Sequence, residues 1–301
     1  MSWRARTTLW LLALATASAC APGEQSGDEA QDTSAVVAQP PRDAVLDAAW
    51  SRDGRRIAVA WYRGPRARLY GLFGPARDGS LPAPSRGLPL TAGQGIHPTW
   101  SPDGLWVAFA TGRDGNSEVY RVRPDGTGPE NLTRNPSNDG EPAYSPDGRL
   151  VAFTSDRDGE GPRLYLMGAD GSDARTVADS LPEKEQHDPT WSPDGRAIAF
   201  AARDRLRSSI HVVTLANGGE RTLGEGEEPA WAVDGRIYYA LRDSVFARHP
   251  DGTSPELVVP DARAPTASPD GRWIAFVRGP EESAGLYLLE LASGVVTRIT
   301  P

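Results

Sequence analysis

Apolar runs of four or five residues recur along the chain, each bounded by turns of Asp-Gly or Pro-Asp-Gly type. Val107-Ala108-Phe109-Ala110, Val151-Ala152-Phe153-Thr154 and Ile274-Ala275-Phe276-Val277 are nearly continuous in hydrophobicity, whereas Glu118-Val119-Tyr120-Arg121-Val122 alternates polar with apolar. Runs of this length, rich in β-branched and aromatic residues, predict strands. Between residues 43 and 301 no segment carries an amphipathic helical period.

The same turn precedes each unit's apolar run. Its copies are Trp50-Ser51-Arg52-Asp53-Gly54, Trp100-Ser101-Pro102-Asp103-Gly104, Tyr144-Ser145-Pro146-Asp147-Gly148, Trp191-Ser192-Pro193-Asp194-Gly195, Trp231-Ala232-Val233-Asp234-Gly235 and Ala267-Ser268-Pro269-Asp270-Gly271. In such a turn Pro presets φ, Asp bonds its own backbone and Gly accepts the left-handed conformation. Successive turn glycines stand 36 to 50 residues apart, which brackets the roughly 40–45-residue period of a four-stranded propeller blade. In the second unit the strands fall at 98–101, 107–110, 118–122 and a short outer 130–133, and the third and sixth units repeat that order.

A sheet of four such strands has two apolar faces and covers neither alone, so the units must stack face to face and close into a ring. The prediction is an all-β protein, a six-bladed β-propeller of four-stranded antiparallel blades over residues 43–301. The aromatics at 50, 100, 144, 191 and 231 are expected in the core between blades, with Ala267 marking the sixth unit as divergent. The first unit begins on an inner strand near Asp47 and the last finishes on an outer strand at Ile299-Thr300. Closure is therefore expected to rest on face packing alone, with Ser34-Ala35-Val36-Val37-Ala38 as an alternative edge strand.

Residues 1–19 read differently. Arg4 and Arg6, the apolar stretch 9–15 and Ala17-Ser18-Ala19 have the order of a secretory signal, with an apolar stretch too short to span a bilayer. Cys20, the only cysteine, follows directly, and Ala17-Ser18-Ala19-Cys20 resembles the lipobox of bacterial lipoproteins, in which that thiol is lipidated. Residues 20–42 are poor in large apolar side chains and read as a lipidated, disordered tether, with a reach of roughly 25 Å on flexible-linker scaling. Ala21 after the cysteine resembles lipoproteins sent to an outer membrane, so the expected location is the cell envelope, on the periplasmic face of the outer membrane in a two-membrane cell. The formal charge of −8 becomes −10 once Arg4 and Arg6 leave with the signal, which disfavours nucleic acid as a partner.

The Trp-Ser-Pro-Asp-Gly units, each with a following strand, then Ser155-Asp156-Arg157-Asp158-Gly159, Leu164-Tyr165-Leu166-Met167 and Ala169-Asp170-Gly171-Ser172 in the third copy, resemble the repeats of the TolB-type β-propeller family over residues 43–301. The resemblance implies a six-bladed exported propeller whose mouth or top face binds other proteins of the bacterial envelope. It also implies an α/β domain ahead of the propeller, which the residues between Cys20 and Asp43 are too few to supply. A monomer with an envelope protein or peptide as partner is expected.

Three residues ahead of each inner-strand aromatic, or its equivalent, stand Asp47, His97, Glu141, Asp188, Glu228 and Ala264. On inner strands along a channel these positions form a partial acidic ring near one mouth, suited to a cation or a basic partner group. They are the candidate binding residues. His187 adds a second imidazole, but a solvated rim outweighs a metal site, and no metal or cofactor is expected. The Arg-Asp-Gly triplets at 113–115 and 157–159 fit turn chemistry rather than adhesion. No Gly-x-Ser-x-Gly elbow is present and no Ser/His/Asp spacing singles out a triad, so a non-catalytic scaffold is expected. The alternative is a lyase-like site for polysaccharide built from His97, His187 and Glu141 in the channel.

Overall fold

Each Ser-x-Asp-Gly turn is locked by its own side chains. The serine hydroxyl donates to the aspartate two residues on, at 2.5 to 2.7 Å, in the turns of Ser51, Ser101, Ser145, Ser192 and Ser268. The same oxygen accepts the N–H five residues on, at 2.9 to 3.0 Å. The turn glycines have φ between 70° and 86°, the left-handed region a side chain rarely enters. In the fifth copy Ala232 replaces the serine, and Asp234 is held instead by Arg236 at 2.8 Å.

The computed structural model describes residues 43–64, 66–177, 185–204, 207–251 and 253–301; the expectations placed on residues 1–42, including the alternative edge strand at 34–38, lie outside them. Twenty-four strands form six four-stranded antiparallel sheets, each built from four consecutive strands. The six-bladed prediction is met. The inner strands of blades 1 to 6 are Asp43–Trp50, Ile96–Trp100, Asp139–Tyr144, Glu185–Trp191, Glu227–Trp231 and Arg263–Ala267.

The second strand of every blade lies between two neighbours and is apolar on both sides. In Val107–Thr111 all five residues are buried, and Phe109, Phe153, Phe200 and Phe276, at equivalent positions, are wholly inaccessible. Each such ring contributes about 2–3 kcal/mol of hydrophobic stabilisation. Three outer strands, Leu88–Pro89, Glu130–Asn131 and Arg175–Thr176, have only two residues, which limits the open edge those blades offer to other chains.

One apolar cluster fills each of the six junctions, that between blades 6 and 1 included. A backbone hydrogen bond also crosses every junction, from the start of an inner strand to the start of the preceding blade's third strand. The donors are Val45, Gly95, Asp139, Gln186, Gly226 and Ala262, and the distances run from 2.8 to 3.1 Å. Val45 to Ala284, at 2.8 Å, closes the ring with the same bond as the rest. Closure thus uses face packing, as expected, plus a hydrogen-bonded rung that the sequence did not reveal.

Trp50, Trp100, Tyr144 and Trp191 are buried between blades. Trp231 is only partly buried, its indole N–H turned back to Gly235 O at 3.2 Å. The bare Ala232 turn leaves that indole as a local lock.

Replacing Ser192 by Ala strands the N–H of Ala197 and leaves Asp194 with the Arg196 N–H but without the serine hydroxyl. We expect a loss of about 1–3 kcal/mol and a fall in Tm of roughly 3–8 °C, read by thermal denaturation, with the same loss in Ser145→Ala.

Candidate functional site in the central channel

The inner strands share a second irregularity, and it builds the site. In blades 2 to 6 the pairing with the second strand slips at one place, and the residue there has positive φ: His97 at 51°, Glu141 at 49°, Asp188 at 52°, Glu228 at 52° and Ala264 at 47°. Proline follows each of them, as Pro98, Pro142, Pro189, Pro229 and Pro265. Lacking an N–H, proline cannot continue the ladder, so the strand bulges. Holding a side-chain-bearing residue in this conformation costs about 1–3 kcal/mol each. Blade 1 has its slip beside Asp47, with Ala48 in place of the proline.

The bulged carboxylates reach across to the next blade. Asp47 Oδ2 accepts the N–H of His97 at 3.2 Å, Glu141 Oε2 that of Asp188 at 2.9 Å, and Glu228 Oε2 that of Ala264 at 2.6 Å. Junctions 1/2, 3/4 and 5/6 are bridged in this way. At junctions 2/3 and 4/5 threonine takes over: Thr99 Oγ1 accepts from the N–H of Tyr144 at 3.4 Å and Thr190 Oγ1 from that of Trp231 at 3.2 Å. Blades 1, 3 and 5 reach forward with a carboxylate, and blades 2 and 4 with a hydroxyl.

Both histidines predicted near the ring lie in it. His187 Nδ1 is 3.2 Å from Glu141 Oε1 and its Nε2 is 3.6 Å from Glu185 Oε2; the His187 and Glu141 side chains are 13 % and 17 % exposed. His97 Nε2 is 3.8 Å from Asp47 Oδ2, in a wetter setting where the histidine is 37 % exposed. Asp47 Oδ1 is buried and accepts no hydrogen bond from the described residues.

These neighbours set the protonation states. Burial pulls the His187 pKa down, but the charge and hydrogen bond of Glu141, with Glu185 and Asp188, outweigh it and carry the pKa to about 10. Burial likewise opposes the charge on His97, and Asp47, Glu141 and Asp188 overcome it, so its pKa also rises. Glu141 is driven up by burial and down, more strongly, by His187, His97 and the Asp188 N–H, and ends well below the ordinary carboxylate value. Asp188 goes the other way, raised by burial and by the charge of Glu141. Burial and then Asp188 push Glu228 up to about 7, and burial raises Asp47 against the pull of His97.

An imidazolium can donate a hydrogen bond but neither ligate a metal nor accept a proton. Among the described residues no group of three or more His, Cys, Asp or Glu is placed to hold a metal ion. What remains is a ring of fixed charges with two adjacent carboxyl groups, Asp188 and Glu228, that a nearby cation would ionise. The structure thus brings together all five predicted side chains. Glu185, which lies 3.6 Å from the other nitrogen of His187, was not foreseen; the proline after five of the six ring positions was the signal for their bulges.

The Arg-Asp-Gly triplets serve the blades. Arg113 lies over the Tyr120 ring at 4.5 Å and Arg157 over Tyr165 at 4.8 Å, and Arg157 also pairs with buried Asp139 at 3.0 Å.

Residues 30–247 match the family model described as the TolB beta propeller domain. An uncharacterised protein of Agrobacterium fabrum is 33 % identical over 86 residues, covering 28 % of this chain and 27 % of that protein. The Tol-Pal system protein TolB of Syntrophus aciditrophicus is 36 % identical over 74 residues, 24 % of this chain and 16 % of the relative. The matched segments therefore span about a quarter or less of these curated relatives. Among solved structures, a putative TolB from Agrobacterium tumefaciens has a TM-score of 0.63 at 20 % identity, covering 86 % of this chain and 88 % of its own. TolB from Acinetobacter baumannii gives 0.53 at 20 % identity, over 85 % and 54 %. An oligogalacturonate lyase in complex with manganese gives 0.57 at 15 % identity, over 87 % and 78 %. At these identities the likeness is one of fold.

The ring makes stability depend on pH in opposite senses. Glu228 binds its proton more tightly folded, so its contribution is complete below the ordinary 4.5 and is lost as pH rises through about 7. Glu228→Gln keeps the acceptor for Ala264; its Tm should match wild type at pH 4.5 and exceed it by about 4 °C at pH 8. Glu141, with a depressed pKa, stabilises above 4.5 and ceases to as pH falls. Glu141→Gln should lose roughly 3 kcal/mol at pH 7, where it leaves His187 under-compensated, and less at pH 3.

Proposed function

The chain belongs to the TolB beta propeller domain family, and we propose that it acts as a non-catalytic protein-binding scaffold of the bacterial cell envelope. Exported and held to a membrane through lipidated Cys20, it receives a basic segment of an envelope protein or peptide at the ring of Asp47, Glu141, Asp188 and Glu228. One observation supports this reading: Glu141, Asp188 and Glu228 are presented to the bore by bulges of positive φ, with Asp47 beside the slip of blade 1, and burial raises the pKa values of Asp47, Asp188 and Glu228, a cost that a counter-charge would offset. A Lys or Arg side chain supplies that counter-charge and, with donors on its tip, satisfies the acceptors left open, such as Asp47 Oδ1. Envelope partnership is supported by the TolB relatives.

The lyase-like alternative draws on the manganese-bound relative in fold. Its base or metal ligand would have to come from His187 or His97, and both are held toward the imidazolium by the carboxylates around them. The scaffold reading uses the histidines as they stand, as cations that keep the ring from flying apart.

Binding of an Arg- or Lys-rich peptide should strengthen by roughly tenfold between pH 5 and pH 8, as Asp188 and Glu228 ionise, and weaken with salt. Glu228→Gln should flatten the upper part of that profile; affinity independent of pH and of this substitution would remove the ring as the site. Cys20→Ser should shift the protein from the membrane to the soluble or unprocessed fraction, with loss of the lipid mass by mass spectrometry.

A further inference from the structure

Blade 1 departs from its five companions between its third strand, Ala67–Phe73, and its outer strand, Leu88–Pro89. The connection runs over residues 74–87, twice the length of the longest equivalent in the other blades. It does not hang free. Leu81 packs on the core between blades 6 and 1, and the N–H of Ser85 bonds Ile299 O at 3.1 Å. The segment leaves the blade at Gly74, where a Cβ would lie 2.4 Å from Gly54 O and 3.1 Å from the Trp50 ring. Only glycine permits so close a path over the turn of blade 1.

That path roofs a cavity of about 560 Å³ at the seam, on the side where the Ser-x-Asp-Gly turns of blades 1 and 6 emerge. Trp50 and Trp273, one from each blade, line it together with Arg55, Arg77 and Arg272, from blade 1, the insertion and blade 6. The guanidinium groups of Arg55 and Arg77 make no hydrogen bond or ion pair with the described residues, and Arg272 has one long contact, to Glu290 at 3.4 Å. Asp53 and Asp270 also line the cavity. Each spends Oδ1 on its own turn, and neither Oδ2 accepts a hydrogen bond from the described residues. Three exposed arginines thus line the cavity, two of them without a partner among the described residues, and two exposed carboxylate oxygens there have no protein donor among those residues.

We propose that this seam cavity is a binding site for a small polyhydroxylated anion, a sugar phosphate or sugar acid. The anionic group is gripped by the guanidinium forks, whose planar donors match carboxylate and phosphate oxygens. The hydroxyls donate to Asp53 and Asp270, and the carbon skeleton lies against the indole edges. The volume is that of an ordinary small-molecule site. Such a ligand touches the first blade, the last blade and the insertion together, so it binds the closed ring and not the opened one and must raise thermal stability by mass action. The site is separate from the carboxylate ring.

The test titrates the full chain with glucose 6-phosphate and with glucuronate, using inorganic phosphate and glucose as controls, by calorimetry and thermal denaturation. The phosphate and carboxylate arms distinguish the two sources of the anionic group. Saturable binding of either sugar anion with a concentration-dependent rise in Tm is expected, with glucose silent. Arg77→Ala and Arg55→Ala, both at exposed positions, should each weaken binding roughly tenfold, the cost of a strong charge-assisted hydrogen bond, and leave the unliganded Tm unchanged. Glu228→Gln should bind the sugar anion as wild type does. No binding of either sugar anion at millimolar concentration, equal binding of glucose or of inorganic phosphate, or full affinity in both arginine variants would overturn the proposal.

Discussion

A four-stranded sheet with oily residues on both faces is not a stable object by itself, and that deficit organises the molecule. Each middle strand, typified by Val107–Thr111, is buried on both sides, so every blade depends on two neighbours. Six blades satisfy this by closing on themselves, and the junction between the last and first carries the same apolar filling and the same backbone rung as the others. In three blades the outer strand is only two residues long, which limits the open edge that could recruit other chains.

Closing the ring leaves the inner edge of each inner strand facing the bore. There the strands do not run straight: a proline, which has no N–H for the ladder, interrupts five of them, and the residue before it has positive φ. The strain is spread over several sites, each tied down by a neighbour: a carboxylate of one blade accepts the bulged N–H of the next at three junctions. The same side chains therefore brace the ring and charge its channel. A carboxylate such as Glu141 is held by His187 and the Asp188 N–H, whereas burial and neighbouring carboxylates hold Asp188 and Glu228 toward their neutral forms, where a cationic guest would gain most.

The departures from the repeat fall where chemistry is concentrated. Blade 5 loses its turn serine and keeps the turn through Arg236. Blade 1 gains a long third-to-outer connection, which leans across the seam and joins the first and last blades from outside. The insertion thus adds contacts to a junction that is closed by face packing and the Val45–Ala284 rung.

The local code was enough for the repeat. Ser-Pro-Asp-Gly states a turn because its hydrogen bonds are made within five residues, and runs such as Val-Ala-Phe-Thr state a doubly covered strand because burial on both faces excludes polar residues; blade count and order followed. The ring positions could also be found, since their offset from the aromatic is constant. Which of them pair could not. Glu141 meets His187 only because blades 3 and 4 pack together, and the split between a depressed Glu141 and a raised Glu228 comes from distances across a bore that no linear spacing encodes. The seam cavity lay hidden for the same reason: Arg55, Arg77 and Arg272 are far apart in the chain, and a field shared by three charges exists only after the ring has closed.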